Sequence, residues 1–428
     1  MKNNRILTKL LVIAVLCSFC SEASAQNRIS SPYSRFGLGD LQSNNNVYNM
    51  SMGGISFGLY SPYFINSANP ASYAAFDSLS FVFDAGLHSR QSNLITQSIS
   101  QSANHTSLGN LQFGFPVTRW WKSSFGLLPY SMVGYKMLDS KVDENAGNTN
   151  FLYEGEGGIN QFYIGNSVSL FKGFSVGFNL SYLFGTINRS GATEFPDSLL
   201  KINYKILKTA QVRDVYLNYG LFYHKQYKNG FHYNAGLAFS NNSDISVSES
   251  RLGYTYFVSS TNVDLPRDTV LNEPTVKGDF LLPASVGFGF SLGKNEKWLA
   301  GADIHFQQWE KYTWFGVSDS LKNSLRLSVG GSYNPSASTV SSYWQRVTYR
   351  GGFRYSQSYL GLRGQNINEF GISIGVGLPL PRTRSTINVA AEFGTRGTTT
   401  NNLIKENFVK FTLGLSIFER WFIIRKYD

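Results

Sequence analysis

Residues 174–185 read FSVGFNLSYLFG, and this stretch decides the fold. Aromatic and aliphatic side chains occupy every second position from Phe174 to Phe184, whereas Ser, Gly and Asn stand between them, with Leu183 as the one exception. Because successive side chains of a β-strand point to opposite faces, this period of two sets an apolar face against a small, polar one. Strands with lipid on one side and a wet interior on the other have this pattern. The stretch therefore predicts one strand of a transmembrane β-barrel.

The same alternation recurs through the rest of the chain. It predicts fourteen strands, at residues 79–90, 109–117, 123–139, 158–171, 174–188, 207–227, 230–248, 279–293, 297–315, 322–334, 344–358, 366–379, 383–396 and 405–418. An even count is what a closed single-chain barrel with both ends in the periplasm requires. We therefore predict an all-β fold, a transmembrane antiparallel β-barrel of 14 strands over residues 79–418. Short turns are expected in the periplasm and long loops outside, among them a loop over residues 249–277.

Composition and charge agree with an outer-membrane barrel. Charged residues make up 15% of the chain and aromatic residues another 15%, with 41 Gly. Beyond residue 25, no stretch approaches the ~18 consecutive apolar residues of a membrane helix. The formal net charge is +11, but the basic residues are scattered along the chain. The charge therefore favours attraction to an anionic membrane surface over binding to nucleic acid.

The N-terminus has the three parts of a secretory signal peptide. Residues 1–9 carry three basic side chains, residues 10–20 are apolar, and Ala23-Ser24-Ala25 offers small residues for cleavage. We predict that residues 1–25 are removed and that the mature chain begins at Gln26. Both cysteines, Cys17 and Cys20, fall in the removed part, so the mature protein is expected to have no disulfide.

A turn-rich stretch precedes the predicted strands. Residues 52–76 read MGGISFGLYSPYFINSANPASYAAF, which is too rich in Gly, Ser, Asn and Pro for a long helix or strand. Its aromatic and aliphatic side chains nevertheless predict a compact, buried segment. Inside a membrane protein such a backbone must be surrounded by protein that pairs its polar groups. We predict that residues 26–78 form a plug within the barrel.

Two short motifs in this stretch, Met52-Gly53-Gly54 and Asn69-Pro70-Ala71, stand just ahead of the first predicted strand. In this order they resemble the plug of the FadL-like family of outer-membrane transporters, and the likeness runs from about residue 51 to the C-terminus. The chain also resembles that family at Leu282-Pro283-Ala284, Asp303 and Trp309. The resemblance implies a non-enzymatic channel for long-chain fatty acids or other hydrophobic compounds. The basic tail at residues 419–428, expected in the periplasm, looks like that of Bacteroidota-type members.

Motifs for catalysis or metal binding are weak. Gly371-Ile372-Ser373-Ile374-Gly375 matches the nucleophile elbow G-x-S-x-G, but Ser373 stands in mid-strand, where the sharp strand-to-helix turn cannot form. The five histidines have no metal-ligand spacing. We therefore expect no enzyme activity, cofactor or metal.

Inward-facing arginines are the strongest candidates for a binding site. Parity places Arg346, Arg350 and Arg354 on the inner face of the eleventh predicted strand, with Arg326 on the strand before it. Guanidinium groups in a confined lumen can bind the carboxylate of an amphiphilic acid. The alternative, which we favour because dehydrated charges need partners, is that they pair with inward carboxylates and hold the plug in place. Those carboxylates are Asp84, Asp303, Glu369 and Glu392.

Pro129 interrupts the third predicted strand. A proline cannot donate to the ladder, and a closed barrel has no edge to accommodate it, so the pairing must break near Gly126 to Ser131. The resemblance to FadL-like barrels implies that this break is a lateral gate formed by Gly126, Pro129 and Ser131. The alternative is that Pro129 lies beyond the hydrocarbon zone, where a break costs little.

The expected function is uptake of small hydrophobic or amphipathic molecules, gated by the plug, by a monomer in the cell outer membrane. Its partners would be outer-membrane lipid and a hydrophobic small-molecule ligand. The alternative is a PorV-like or assembly-accessory barrel that binds protein partners in secretion or outer-membrane biogenesis. The long predicted loop and the basic tail could serve either role.

Overall fold

The computed structural model describes residues 31–143, 147–197, 201–259, 261, 263–336, 338 and 340–420. The predicted signal peptide, and the tail beyond Arg420, lie outside the described residues. None of the helices in the described part of the chain is long and apolar enough to cross a membrane.

Fourteen antiparallel strands form a closed barrel. In chain order they are β1 Ser80–Ile95, β2 Ser100–Pro116, β3 Trp121–Asp143, β4 Gly147–Phe171, β5 Phe174–Glu194, β6 Asn203–Gln226, β7 Phe231–Ser240 with Ser243–Val258, β8 Asp264–Leu282 with Ser285–Lys294, β9 Trp298–Gln307, β10 Ser324–Tyr333, β11 Thr348–Leu362, β12 Gln365–Pro379, β13 Thr386–Arg396 and β14 Lys405–Arg420. The sheet closes where β14 pairs with β1, from Arg420 opposite Ser80 to Lys405 opposite Ile95. The predicted barrel and its strand count are confirmed.

The alternating residues of β5 face opposite sides of the barrel wall, as predicted. On β5 the side chains of Phe178, Leu180 and Tyr182 are exposed on the outer wall, whereas Asn179 and Ser181 are fully buried inside. Leu183 breaks the pattern because it points inward, where it is 0% exposed in an apolar cluster within the lumen.

Several strands run well past their predicted ends on the side opposite the short turns. β2 begins at Ser100, β3 continues to Asp143, and β7 and β8 cover most of the predicted loop over residues 249–277. That loop prediction is wrong, and on the same side of the barrel only Arg363 and Gly364 separate β11 from β12. Beyond the membrane both faces of a strand meet water, so the alternation that marks a strand in lipid disappears.

Residues 31–76, here called the lumenal segment, lie against the inner wall. The segment contains 3₁₀ turns at Pro32–Arg35 and Pro70–Ala75, a two-residue strand Asp40–Leu41 and a helical turn Val47–Met50. Asn69 explains the second motif: its side chain accepts a hydrogen bond from the Ala71 amide while Pro70 occupies the first helical position. Most side chains of the segment are buried.

Inward-facing glycines bring the wall and the lumenal segment into backbone contact. A Cβ on Gly352 would lie 2.2 Å from the Met52 carbonyl carbon, and one on Gly330 would lie 2.2 Å from the Met52 carbonyl oxygen. Gly53 of the segment has φ +69° and lies against the backbone of Phe353. The lumenal segment can therefore approach the wall this closely only because these positions are glycine.

A side chain at Gly352 should dislodge the lumenal segment. We expect Gly352→Val to lower the free energy of unfolding by about 1–3 kcal/mol, because the added atoms would overlap the Met52 backbone. Limited proteolysis would report the loss as faster cleavage between residues 45 and 60. Gly351→Val is the matched control: a Cβ there meets only the Ser373 carbonyl oxygen, at 3.7 Å. Equal protease resistance of the two variants would contradict this account.

Candidate functional site

Two buried carboxylates of the wall anchor the backbone of the lumenal segment. Asp303 on β9 accepts hydrogen bonds from the amides of Ser56 and Phe57, at 2.5 and 2.9 Å. Asp84 on β1 accepts one from the amide of Ile65, at 2.5 Å. These groups were predicted to pair with arginines, but instead they serve the peptide groups of a turn-rich backbone that has no ladder of its own.

Neutral side chains of β4 and β5 complete this anchoring. Ser167 and Ser175 both donate to the carbonyl oxygen of Ala71, at 3.1 and 2.9 Å. Asn179 donates to the Ser67 carbonyl oxygen at 3.0 Å and accepts from the Tyr73 hydroxyl at 2.9 Å. The predicted plug residues Asn69 and Ala71 are thus hydrogen-bonded to the wall, Asn69 through its side-chain amide to the Leu221 carbonyl oxygen at 3.2 Å.

The predicted arginines do not act as one group. Arg354 is paired with Glu369 at 2.6 Å and with Glu392 at 2.5 Å. This is the pairing with inward carboxylates that the sequence analysis favoured. Arg350 stacks over the Tyr48 ring at 4.0 Å and donates to Asn388 at 2.7 Å, so it holds the lumenal segment through an aromatic contact.

Arg346 was predicted on the eleventh strand but lies outside it. It ends the short helix Tyr343–Arg346 that precedes β11, with its guanidinium 5.6 Å from the Tyr343 ring. The helical turn shifts the start of the strand to Thr348 and removes Arg346 from the inward-facing row.

Arg326 differs from the other arginines. It lines a lumenal cavity of about 310 Å³, and within the described residues no carboxylate lies within 4 Å of its guanidinium. Lys410 on β14, which the sequence analysis did not single out, faces the same cavity and likewise has no ion pair among the described residues. Its alternation with Val409 and Phe411 predicts that it points inward, but the sequence gives no sign that it faces a cavity.

The remaining charges around the cavity are paired. Arg396 binds Asp40 of the lumenal segment at 2.6 Å. Arg90 lies 3.3 Å from Glu406. Three carboxylates line the cavity against five basic side chains, so the wall presents an excess of positive charge; the carboxylates are Asp40, Glu369 and Glu392, and the bases are Arg90, Arg326, Arg354, Arg396 and Lys410.

An apolar cluster borders the cavity. It includes Leu38 of the lumenal segment with Trp309, Tyr216 and Tyr359, and the last two also line the cavity. Tyr33 belongs to this cluster, and burial, followed by the nearby Glu406, raises the pKa of its hydroxyl to about 12. The hydroxyl therefore stays protonated and donates to the Ile404 carbonyl oxygen.

The wall is split between β2 and β3. Their pairing runs only from Leu111 opposite Leu127 to Pro116 opposite Lys122, and beyond Leu127 β3 pairs with β4 alone among the barrel strands. Pro129 lies where the β3–β4 register shifts, between Pro129 and Ser131. The expected break in the ladder therefore exists and is longer than residues 126–131. Gly126 itself is within the paired part, opposite Gln112.

The lumenal segment covers part of the freed edge of β3. Asp40 and Leu41 pair with Met132 and Ser131, and the Gln42 amide donates to the Tyr130 carbonyl oxygen at 2.9 Å. Tyr130 also lines the cavity, so this patch lies between the cavity and the split.

Solved structures share this architecture, a closed 14-stranded antiparallel β-barrel. The Ralstonia pickettii toluene transporter TbuX matches with a TM-score of 0.59, at 13% identity, over 89% of this chain and 99% of that one. The Pseudomonas putida toluene transporter TodX gives 0.58 at 16% identity over 90% and 100%, and a Pseudomonas aeruginosa FadL homologue gives 0.58 at 12% over 90% and 100%. At these identities the likeness concerns the fold.

The family follows from the sequence itself. The BamG family model matches residues 7–428, which is nearly the whole chain, and the protein belongs to the BamG family. No curated protein matches the sequence.

Replacing Arg350 should loosen the lumenal segment. Arg350→Ala removes a buried cation–π contact with Tyr48 and a hydrogen bond to Asn388, a loss of roughly 2 kcal/mol or more. We expect higher ion leak through single barrels in planar bilayers. Arg363→Ala, which alters an exposed arginine in the turn between β11 and β12, is the control. A leak that stays at the wild-type level in Arg350→Ala would show that this contact does not hold the segment.

Proposed function

We propose that the protein is a monomeric outer-membrane channel that binds small amphipathic molecules with an anionic head group in its lumen. The observation that carries the proposal is the cavity of about 310 Å³ into which Arg326 and Lys410 project, neither of them in an ion pair within the described part of the chain. A pocket of this size is at the lower end of the range for small-molecule sites.

The cavity suits a ligand that has both a charged and an apolar part. Its basic excess favours a carboxylate, which an arginine can bind through two hydrogen bonds. Phe57, Phe239 and Leu282 give apolar surface to the same cavity. Two of the similar structures are toluene transporters, which supports an apolar component for the cargo of this chain as well.

Within this proposal the gate is the part of the lumenal segment at residues 31–42. The part over residues 52–76 is anchored by Asp84, Asp303 and the wall hydroxyls, so moving it would expose many buried polar groups. The patch at Asp40–Leu41 is held by a two-residue pairing with β3 and by the Arg396 ion pair. Its displacement would connect the cavity with the β2–β3 split at Pro129, and cargo would leave sideways into the membrane.

A second candidate is a barrel that binds protein partners in outer-membrane biogenesis or secretion. Membership of the BamG family favours it. We also propose, from the sequence of the tail at residues 419–428, that the protein is of the Bacteroidota type. Native mass spectrometry of the gently extracted protein separates the two functions, since a channel would carry a small amphiphile and a partner-binding barrel a polypeptide.

Ligand binding should depend on the two unpaired bases. We expect Arg326→Ala and Lys410→Ala each to weaken binding of decanoate by about tenfold or more, since each removes a charge-assisted contact. Binding of the neutral analogue decanol should change little. Isothermal titration calorimetry would measure both, with Arg363→Ala in an exposed turn as the control. Unchanged decanoate binding by both lumenal variants would contradict the proposed site.

Lateral exit should stop when the split is clamped. Asn110 and Leu128 are next in register after the last β2–β3 pair, so an Asn110→Cys/Leu128→Cys protein offers a disulfide across the point where the strands part. We expect oxidation to reduce uptake of decanoate into cells and reduction to restore it. The reduced form of the same protein is the control. Equal uptake by the oxidised and reduced forms would exclude this route.

A further inference from the structure

A second pocket, here called the outer pocket, lies at the end of the barrel opposite the short turns. It has a volume of about 300 Å³ and shares no lining residue with the lumenal cavity. Residues 35–37 of the lumenal segment form one side of it, and Arg189 near the outer end of β5 and Lys208 on β6 form another. Parts of the link between β9 and β10, within residues 312–319, complete the lining.

Like charges face each other on the wall at the outer pocket. Arg189 on β5 is directly opposite Lys208 on β6, and Lys208 is directly opposite Arg251 on β7. Side chains in such cross-strand pairs start only ~5 Å apart at Cβ, and like charges placed this way are destabilising. The row of three bases across three neighbouring strands therefore requires negative charge close by.

The described chain supplies only part of that negative charge. Glu249 on β7 binds Lys208 at 3.0 Å and Arg251 at 3.2 Å, so it serves two of the three bases. Arg189 donates through Nη2 to the Gly37 carbonyl oxygen at 2.6 Å, and its buried Nε has no hydrogen-bond partner within the described residues. Among those residues no carboxylate lies within 4 Å of the Arg189 guanidinium.

Arg35 brings another guanidinium to the pocket, from the lumenal segment. It lies over the Tyr153 ring at 4.2 Å, and no carboxylate in the described ranges of the chain is within 4 Å of it. Asp319 is the one carboxylate that lines the pocket, and it forms no ion pair with any base that the structure describes. Three basic side chains thus line the pocket with one carboxylate, and two of the three have no ion pair in the described chain.

We propose that the outer pocket binds a phosphate group, which bridges the lumenal segment and the barrel wall. A phosphate group offers three strong acceptor oxygens that point in different directions. It can therefore accept from Arg35, Arg189 and Lys208, which approach from three different elements. A carboxylate has two oxygens in one plane and suits a single guanidinium better than three separate cations.

A phosphate group in this pocket would hold the outer part of the lumenal segment against β5 and β6. Without it, Arg35 of the segment and the two bases of the wall face the same pocket and repel each other. With it, all three are attracted to one anion. Because residues 31–42 are the gate in the proposed function, bound phosphate would favour the closed gate; only this consequence rests on that function.

Amide hydrogen exchange of the full-length protein tests the site. The protein is compared in an uncharged detergent with inorganic phosphate and with chloride at equal ionic strength, and calorimetry gives the Kd for phosphate. At a phosphate concentration about ten times the Kd, residues 34–39 should exchange about tenfold more slowly, because the ligand binds only while the segment is seated. The amides of Ser56, Phe57 and Ile65, which wall carboxylates anchor, should exchange equally in both solutions.

Substitutions make the test specific to the pocket. Arg35→Ala and Arg189→Ala each remove one base and should abolish the phosphate effect, and Arg35→Ala carries the test if Arg189→Ala fails to fold. Arg213→Ala, which removes an exposed arginine elsewhere on β6, should leave the effect intact. Heat-modifiable migration in detergent gels confirms that each variant forms a closed barrel. No lumenal ligand is added, so failure here is distinct from failure of the proposed function.

Lipid nanodiscs separate the two sources of a phosphate group. Protection of residues 34–39 in phosphatidylglycerol nanodiscs without added phosphate, and its absence in nanodiscs of an uncharged galactolipid, would assign the site to a lipid head group. Protection that requires inorganic phosphate in both kinds of nanodisc would assign it to the free anion. Either result supports the site.

Three results would overturn the proposal. Equal exchange of residues 34–39 in phosphate and chloride, with no protection in phosphatidylglycerol nanodiscs, would show that the pocket takes no phosphate group. Protection by phosphate that persists in folded Arg35→Ala and Arg189→Ala proteins would show that phosphate binds elsewhere. Protection by acetate equal to that by phosphate would show that the pocket does not select a phosphate group.

Discussion

A turn-rich backbone can lie inside a membrane-spanning barrel only where the wall supplies hydrogen-bond partners for its peptide groups. Asp303 meets this constraint for Ser56 and Phe57, and Asp84 meets it for Ile65. Each carboxylate is nearly fully buried, so its own desolvation is compensated only while the lumenal segment is in place. The barrel interior and the segment therefore depend on each other.

The same constraint explains the glycine content of the wall. Hydrogen bonds from wall to segment at 2.5–3.1 Å require the two backbones to approach closely, and inward glycines on β5, β10 and β11 allow this. A side chain at Gly177, for instance, would overlap Pro70 and Ala71. Small inward residues thus serve the seating of the segment rather than the width of an open channel.

The unfilled part of the lumen lies where this anchoring ends. Residues 31–42 contact the wall through an ion pair, a two-residue strand pairing, an apolar cluster and several hydrogen bonds, and the cavity with Arg326 and Lys410 lies beside them. The hydrogen bonds involve Ser31, Tyr33, Ser34, Gly37, Gly39 and Gln42. The β2–β3 split opens at the same level, at Pro129 and Tyr130. The strand pairing of Asp40–Leu41, the cavity with Arg326 and Lys410 and the interrupted ladder therefore lie at one level, which is the physical basis for placing both ligand and gate there.

The sequence by itself determined the barrel, its fourteen strands and the presence of a buried N-terminal segment, because lipid on one face imposes a period of two and Asn-Pro and Gly-Gly motifs impose turns. It also predicted the break at Pro129, since a proline cannot donate to a ladder. Tertiary structure alone decided where the strands end, because outside the membrane both faces meet water and the alternation stops. It also decided which charges pair. Strand parity shows that Arg326, Arg354 and Lys410 point inward, but the register between strands places Arg354 between Glu369 and Glu392 and leaves the other two facing a cavity.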